Sequence, residues 1–139
     1  MTSDSRTFTG GCLCGALRYE ARGEPAASGH CYCGDCRRAS GSGFMPFMVF
    51  AADALTVRGA TREFRSPAAS GRTAVRNSCP VCGGLVFGGE LGTSESFTVY
   101  AGSLDEPARF RPRIAIFVAE RPPWALIPPE LKCFAGLPE

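Results

Sequence analysis

Seven of the eight cysteines lie in three tight groups, Cys12-x-Cys14, Cys31-x-Cys33-x2-Cys36 and Cys79-x2-Cys82, and Cys133 stands apart. This spacing constrains the fold more than any other feature. Ligands two or three residues apart can close on one point only where the backbone between them is extended or sharply turned. The N-terminal stretch MTSDSRTFTGG lacks a basic start followed by an apolar core, so the expected location is the cytoplasm, where thiols stay reduced. Metal binding or catalysis then accounts for the cysteines better than disulfides do.

In Cys79-Pro80-Val81-Cys82-Gly83-Gly84 a tight turn aims backbone N–H groups at the sulfurs, and glycine takes a backbone shape that a side chain opposes. That is half a site. Cys12-Leu13-Cys14-Gly15 supplies the other half, because alternate residues of an extended segment face the same side. Together they form a closed four-thiolate shell suited to structural zinc or to rubredoxin-like iron, stapling segments about 65 residues apart.

The third group sits in His30-Cys31-Tyr32-Cys33-Gly34-Asp35-Cys36. Alternation puts Cys31 and Cys33 on one face, and the Gly34-Asp35 turn brings Cys36 to the same point. His30, the only histidine, is directed to the opposite face and reads as a packed or hydrogen-bonded neighbour. Asp35 reads as a turn residue. Cys133, a carboxylate, or no protein group at all completes the set. Three protein ligands with an exchangeable position mark catalytic zinc, whereas four mark a second structural site, and spacing leaves both open. Cys133 otherwise reads as a small buried hydrophobe.

A chain of 139 residues predicts one domain, here residues 8–139, behind a disordered start at 1–7. Hydrophobic residues are 45% of the total and charged ones 20%, with no apolar run near the roughly 20 residues of a membrane span, so a soluble protein without a membrane partner is expected. The net charge of +2 would fall to −1 with seven thiolates and two divalent ions, which argues against nucleic acid as a partner.

Seventeen glycines and eleven prolines punctuate the chain, and between them lie short β-branched and aromatic runs. The pattern predicts a mainly β fold with strands at 16–21, 44–50, 55–58, 62–64, 73–76, 85–87, 97–100 and 113–118. Pro46 argues that the second of these is an edge strand or carries a bulge. A turn or two of helix fits 36–40. Beyond Val118 the prolines predict an ordered but irregular tail in which Trp124, Leu126, Ile127 and Phe134 pack.

The segments GGCLCGALRYE, HCYCGDCRRASGSGF, CPVCGG and PPWALIPPELKCFAGLPE, in that order, resemble the glutathione-dependent formaldehyde-activating family from about residue 8 onward. The resemblance implies an Mss4-like fold of zinc-stapled coiled β-sheets with short irregular connections and a proline-rich C-terminal tail. It implies two zinc ions per chain, a structural one on Cys12, Cys14, Cys79 and Cys82 and a catalytic one on Cys31, Cys33 and Cys36. The implied activity joins glutathione, a small thiol partner, to formaldehyde, giving S-(hydroxymethyl)glutathione by carbon-sulfur lyase chemistry in reverse.

A zinc held by three thiolates is a weak Lewis acid, better suited to presenting a thiolate than to polarising a carbonyl. Arg37 and Arg38 are candidates to pair with a glutathione carboxylate, and the loop at Ser40 and Gly41 could offer N–H donors. Relatives are expected to carry a histidine near Ile114-Ala115-Ile116, where this chain has none. That departure leaves the electrophile open between formaldehyde and another small aldehyde. The alternative reading is a non-catalytic zinc-binding interaction module.

Overall fold

The computed structural model describes residues 6–138. The expectation of a disordered start lies, for residues 1–5, outside the described part, while Thr7 already opens a strand. In chain order the strands are β1 (Thr7–Gly11), β2 (Arg18–Arg22) and β3 (Ala27–Cys31), followed by the helix α1 (Gly34–Ser40). Next come β4 (Met45–Ala51), β5 (Leu55–Arg58), β6 (Arg62–Pro67), β7 (Thr73–Ser78), β8 (Leu85–Gly88) and β9 (Ser96–Tyr100). The C-terminal part adds β10 (Ile114–Ile116) and β11 (Lys132–Cys133).

The strands form a three-stranded sheet in the order β1-β2-β5 and an eight-stranded sheet in the order β11-β10-β3-β4-β9-β8-β7-β6. Alternation explains how they pack. Tyr19 and Ala21 of β2 turn inward with Phe8 of β1, and against them lie Met48, Phe50, Val86, Phe87, Phe97 and Val99 of the large sheet. This is the main core. Met45, Phe47 and Val49 are offset by one residue from Met48 and Phe50, so they occupy the other face of β4.

β4 is central, between β3 and β9, which corrects the edge position expected from Pro46. The ladder to β9 begins only at Phe47↔Tyr100, so Pro46, opposite His30 of β3, is flanked on one side alone and no ladder bond is forfeited. β1, β3 and β11 were absent from the expected strands. Threonine and glycine dominate β1, β3 (ASGHC) holds no β-branched residue, and only pairing makes them strands.

The tail is largely irregular, as its prolines dictate, but it closes a second, smaller core. Ala125 and Leu131 are buried there with Tyr32 and Ala115, and Phe44, Val118 and Ile127 pack around them. Trp124 and Leu126 do not pack as expected: they are 67% and 81% exposed, because the buried position between them belongs to Ala125. Cys133 is exposed rather than buried, since the two-residue β11 is an edge strand. No helix among the described residues is long and apolar enough to cross a membrane.

Candidate metal centres

Cys12 and Cys14 leave the end of β1, and Cys79 and Cys82 occupy the turn between β7 and β8. Their four sulfurs lie within 4.8 Å of one another, with Cys12 to Cys14 and Cys14 to Cys79 each at 3.7 Å. A tetrahedron with metal–sulfur bonds of about 2.3 Å has edges of about 3.8 Å, so the set has the size that zinc or iron requires. Backbone N–H groups point at the sulfurs as the turn chemistry predicts: Leu17 at Cys12 (3.3 Å), Val81 at Cys79 (3.3 Å) and Gly84 at Cys82 (3.4 Å). Gly15 and Gly83, each following a cysteine pair, have φ of 85° and 76°. Burial opposes ionisation of Cys12, but the Leu17 N–H and the neighbouring sulfurs bring it down to about 6.

Cys31 ends β3, and Cys33 and Cys36 belong to the start of α1. Their sulfurs also lie within 4.8 Å of one another, and among the described residues no histidine, carboxylate or further thiol joins them. Cys33 is the N-cap of α1, its sulfur accepting from the Cys36 N–H at 3.3 Å. The Cys31 and Cys36 sulfurs, with the N–H groups of Cys36 and Asp35, bring Cys33 down to about 2. Cys31 is pushed up by Cys33, then Cys36 and burial. Three crowded sulfurs therefore favour one thiolate on their own and need a cation to ionise together.

His30 is held away from this point. Its ring stacks on Phe44 at 4.1 Å between centroids, and Nδ1 lies 3.3 Å from the Tyr32 hydroxyl, which donates to the Leu126 carbonyl. Cys133 is not among the donors, and its thiol points at the Leu131 carbonyl, 3.6 Å away.

Two cavities meet at the three-cysteine group. One, of about 380 Å³, is walled by Cys31, Cys36, Met45, Phe47, Val49, Tyr100 and Ile116 among others. The other, of about 470 Å³, is the more polar of the two and includes Cys33, Cys36, Arg38, Ser70 and Glu120. Cys36, Arg76 and Thr98 line both. A larger cavity of about 810 Å³ lies beside Cys12 and the C-terminal end of α1. It borders the site whose four sulfurs could by themselves fill a metal's four positions, so the smaller pair is the better candidate for chemistry.

Of the expected substrate contacts, Arg38 lines the polar cavity with Cys33 and Cys36. Arg37 and Gly41 line neither cavity at the tripod, and Ser40 faces the larger one by the other site. Arg76 and Tyr100 were missed. Each is an ordinary strand residue locally, and only the registers of β7 against β8 and of β9 against β4 bring them to the tripod. Arg76 has no carboxylate partner among the described residues and donates only to Ser66 Oγ, at 3.3 Å.

No curated protein matches the chain. A crystal structure of a Rhodobacter sphaeroides protein is similar, with 24% identity, a TM-score of 0.51, and coverage of 70% of this chain and 87% of that one; this likeness concerns the fold. The family model described as glutathione-dependent formaldehyde-activating enzyme matches residues 7–120. With that match over most of its length and the mainly β, cysteine-clustered architecture above, the chain belongs to the glutathione-dependent formaldehyde-activating enzyme family.

Proposed function

We propose that this chain is a cytoplasmic zinc enzyme that joins glutathione to a small aldehyde, a carbon-sulfur lyase working in the synthetic direction. The observation that carries this reading is the tripod of Cys31, Cys33 and Cys36, three sulfurs without a fourth donor among the described residues, opening on two cavities. The donor set fits zinc, and a zinc so held would keep an incoming thiol as its thiolate. Cys12, Cys14, Cys79 and Cys82 hold the second, structural zinc in this reading.

The chain's own groups supply the rest. Cys33 is capped by the first turn of α1, where the helix dipole favours negative charge. Arg38 and Arg76, which share the more polar cavity with Asp35 and Glu120, are its cations and suit glutathione carboxylates. Arg76 is the stronger anchor, being half-buried and without a carboxylate partner among the described residues. His30, stacked and hydrogen-bonded on the far side of β3, has no part in deprotonating the thiol.

Zinc K-edge spectroscopy on the metal-loaded protein, with and without glutathione, tests the proposal. The averaged shell should hold fewer than four protein sulfurs per ion and gain sulfur when glutathione is added. Eight protein sulfurs around two ions, unchanged by the thiol, would sink the enzyme reading.

A further inference from the structure

The cavity of about 380 Å³ against Cys31 and Cys36 is much larger than a one-carbon aldehyde requires, since a water molecule takes only about 30 Å³. Its wall is chemically divided. Met45, Phe47 and Val49 project from one face of β4, and Ile116, paired in register with Cys31, adds a fourth apolar side chain. Those four side chains offer no partner for a charged or strongly hydrated group, while Thr73, Arg76, Ser96 and Thr98 line the cavity elsewhere.

Tyr100 stands out among the polar groups there, because it is the most deeply buried of them. The residue is 9% exposed, and its hydroxyl makes no hydrogen bond to the described residues. It lies over Gly88, where a Cβ would come within 2.7 Å of the oxygen, so glycine in β8 is what lets the phenol reach into the cavity. Burial pushes this phenol up to about 12, with Arg76 opposing and Cys36 and Cys31 adding to the shift. It stays protonated at neutral pH and has a hydrogen bond to give. The hydroxyl is not sealed from solvent, so it opens on the cavity and is free to donate to a ligand there.

We propose that the electrophile taken at the tripod is an aldehyde with an apolar substituent of several carbons, seated against Met45, Phe47, Val49 and Ile116 with its carbonyl oxygen accepting a hydrogen bond from Tyr100. This rests on the thiol-adduct reading above and names its substrate class. In the addition, the electron pair of the substrate sulfur forms the S–C bond and the π pair of C=O moves onto oxygen. That oxygen takes up the proton the thiol released, passed through solvent. Nothing is oxidised or reduced, and Tyr100 stabilises the charge that grows on oxygen.

The test uses the zinc-loaded full chain with glutathione and either formaldehyde or hexanal, on the wild type, Val49→Phe and Tyr100→Phe. Calorimetric binding of S-hexylglutathione and of glutathione accompanies the kinetics. In the wild type, kcat/KM for hexanal should exceed that for formaldehyde by at least about tenfold, and the hexyl group should tighten binding by a similar factor. Val49→Phe, which fills the cavity, should erase both preferences.

Tyr100→Phe should lower kcat for hexanal by about tenfold or more while leaving the affinity for S-hexylglutathione unchanged, a split that a packing role would not give. Turnover of formaldehyde with hexanal equal or worse, or a hexyl group that adds nothing to binding, overturns the inference and leaves the thiol-adduct reading intact. Turnover of neither aldehyde overturns both.

Discussion

Asp105 shows how single side chains tie the small sheet to the rest. It accepts from both terminal nitrogens of Arg18 on β2 and from Thr9 Oγ1 on β1 (2.8 Å), so one carboxylate clamps two strands. The Arg18 hydrogen bonds hold its carboxyl below the ordinary value. A depressed folded pKa means that the stabilisation is fully present above the unfolded value, about 3.9, and is lost as pH falls through the folded one. The pair is two-fifths exposed on the Asp105 side, so its worth is that of a screened surface pair. Asp105→Asn should therefore destabilise the metal-loaded protein by at most about 1 kcal/mol in urea titrations. The deficit should stay constant from pH 8 to pH 5; one that already shrinks at pH 6 would contradict this assignment.

At the scale of elements, each sulfur site is made by a turn. The β7–β8 turn closes with Gly83 N–H donating to the Cys79 carbonyl at 2.9 Å, and Gly83 takes its left-handed conformation there. A Cβ at Gly83 would meet nothing within 4 Å, so the cost of adding one is conformational alone. Gly83→Ala should lose about 1 kcal/mol of stability with the metal bound, and Gly83→Asn less, because asparagine enters the left-handed region more readily. Equal stability of all three proteins in denaturant would mean that the turn relaxes.

The tripod depends on a different device. α1 starts on Cys33 and ends on Gly41, whose N–H donates to the Arg37 carbonyl at 2.9 Å. Glu120 from the tail accepts from the Gly34 N–H at 3.0 Å. The turn that presents Glu120 begins at Phe117, a left-handed residue pinned by its N–H bond to the Gly136 carbonyl. The tail thus helps to seat the helix that carries two of the three sulfurs.

Across the whole molecule the two sulfur sites have unequal structural weight. Cys79 belongs to the main core, with Cys12 and Cys82 packed against it, and their site joins the small sheet to the β7–β8 hairpin. The tripod lies within one sheet and its adjoining helix. Cys82→Ser should lose one ion and several kcal/mol of stability, whereas Cys36→Ser should lose the other ion with little change in melting temperature. Metal analysis with thermal melts of both variants checks this. A Cys36 variant that unfolds as readily as the Cys82 variant would make the tripod structural.

The sequence by itself determined the grouping of the sulfurs and the mainly β class, because i, i+2 ligands, knuckle glycines and short apolar runs are local signals with a local cause. It also placed His30 off the metal face, by alternation alone. Only the tertiary structure decided that β4 is central despite Pro46, that Cys133 stays outside the tripod, and that Ala125 is buried where Trp124 is not. It alone brought Arg76 and Tyr100 to the cysteines, since strand register over tens of residues leaves no trace in either residue's neighbours. The chemistry beside the tripod was hidden for that reason: ligand spacing is written along the chain, but a cavity wall is assembled across it.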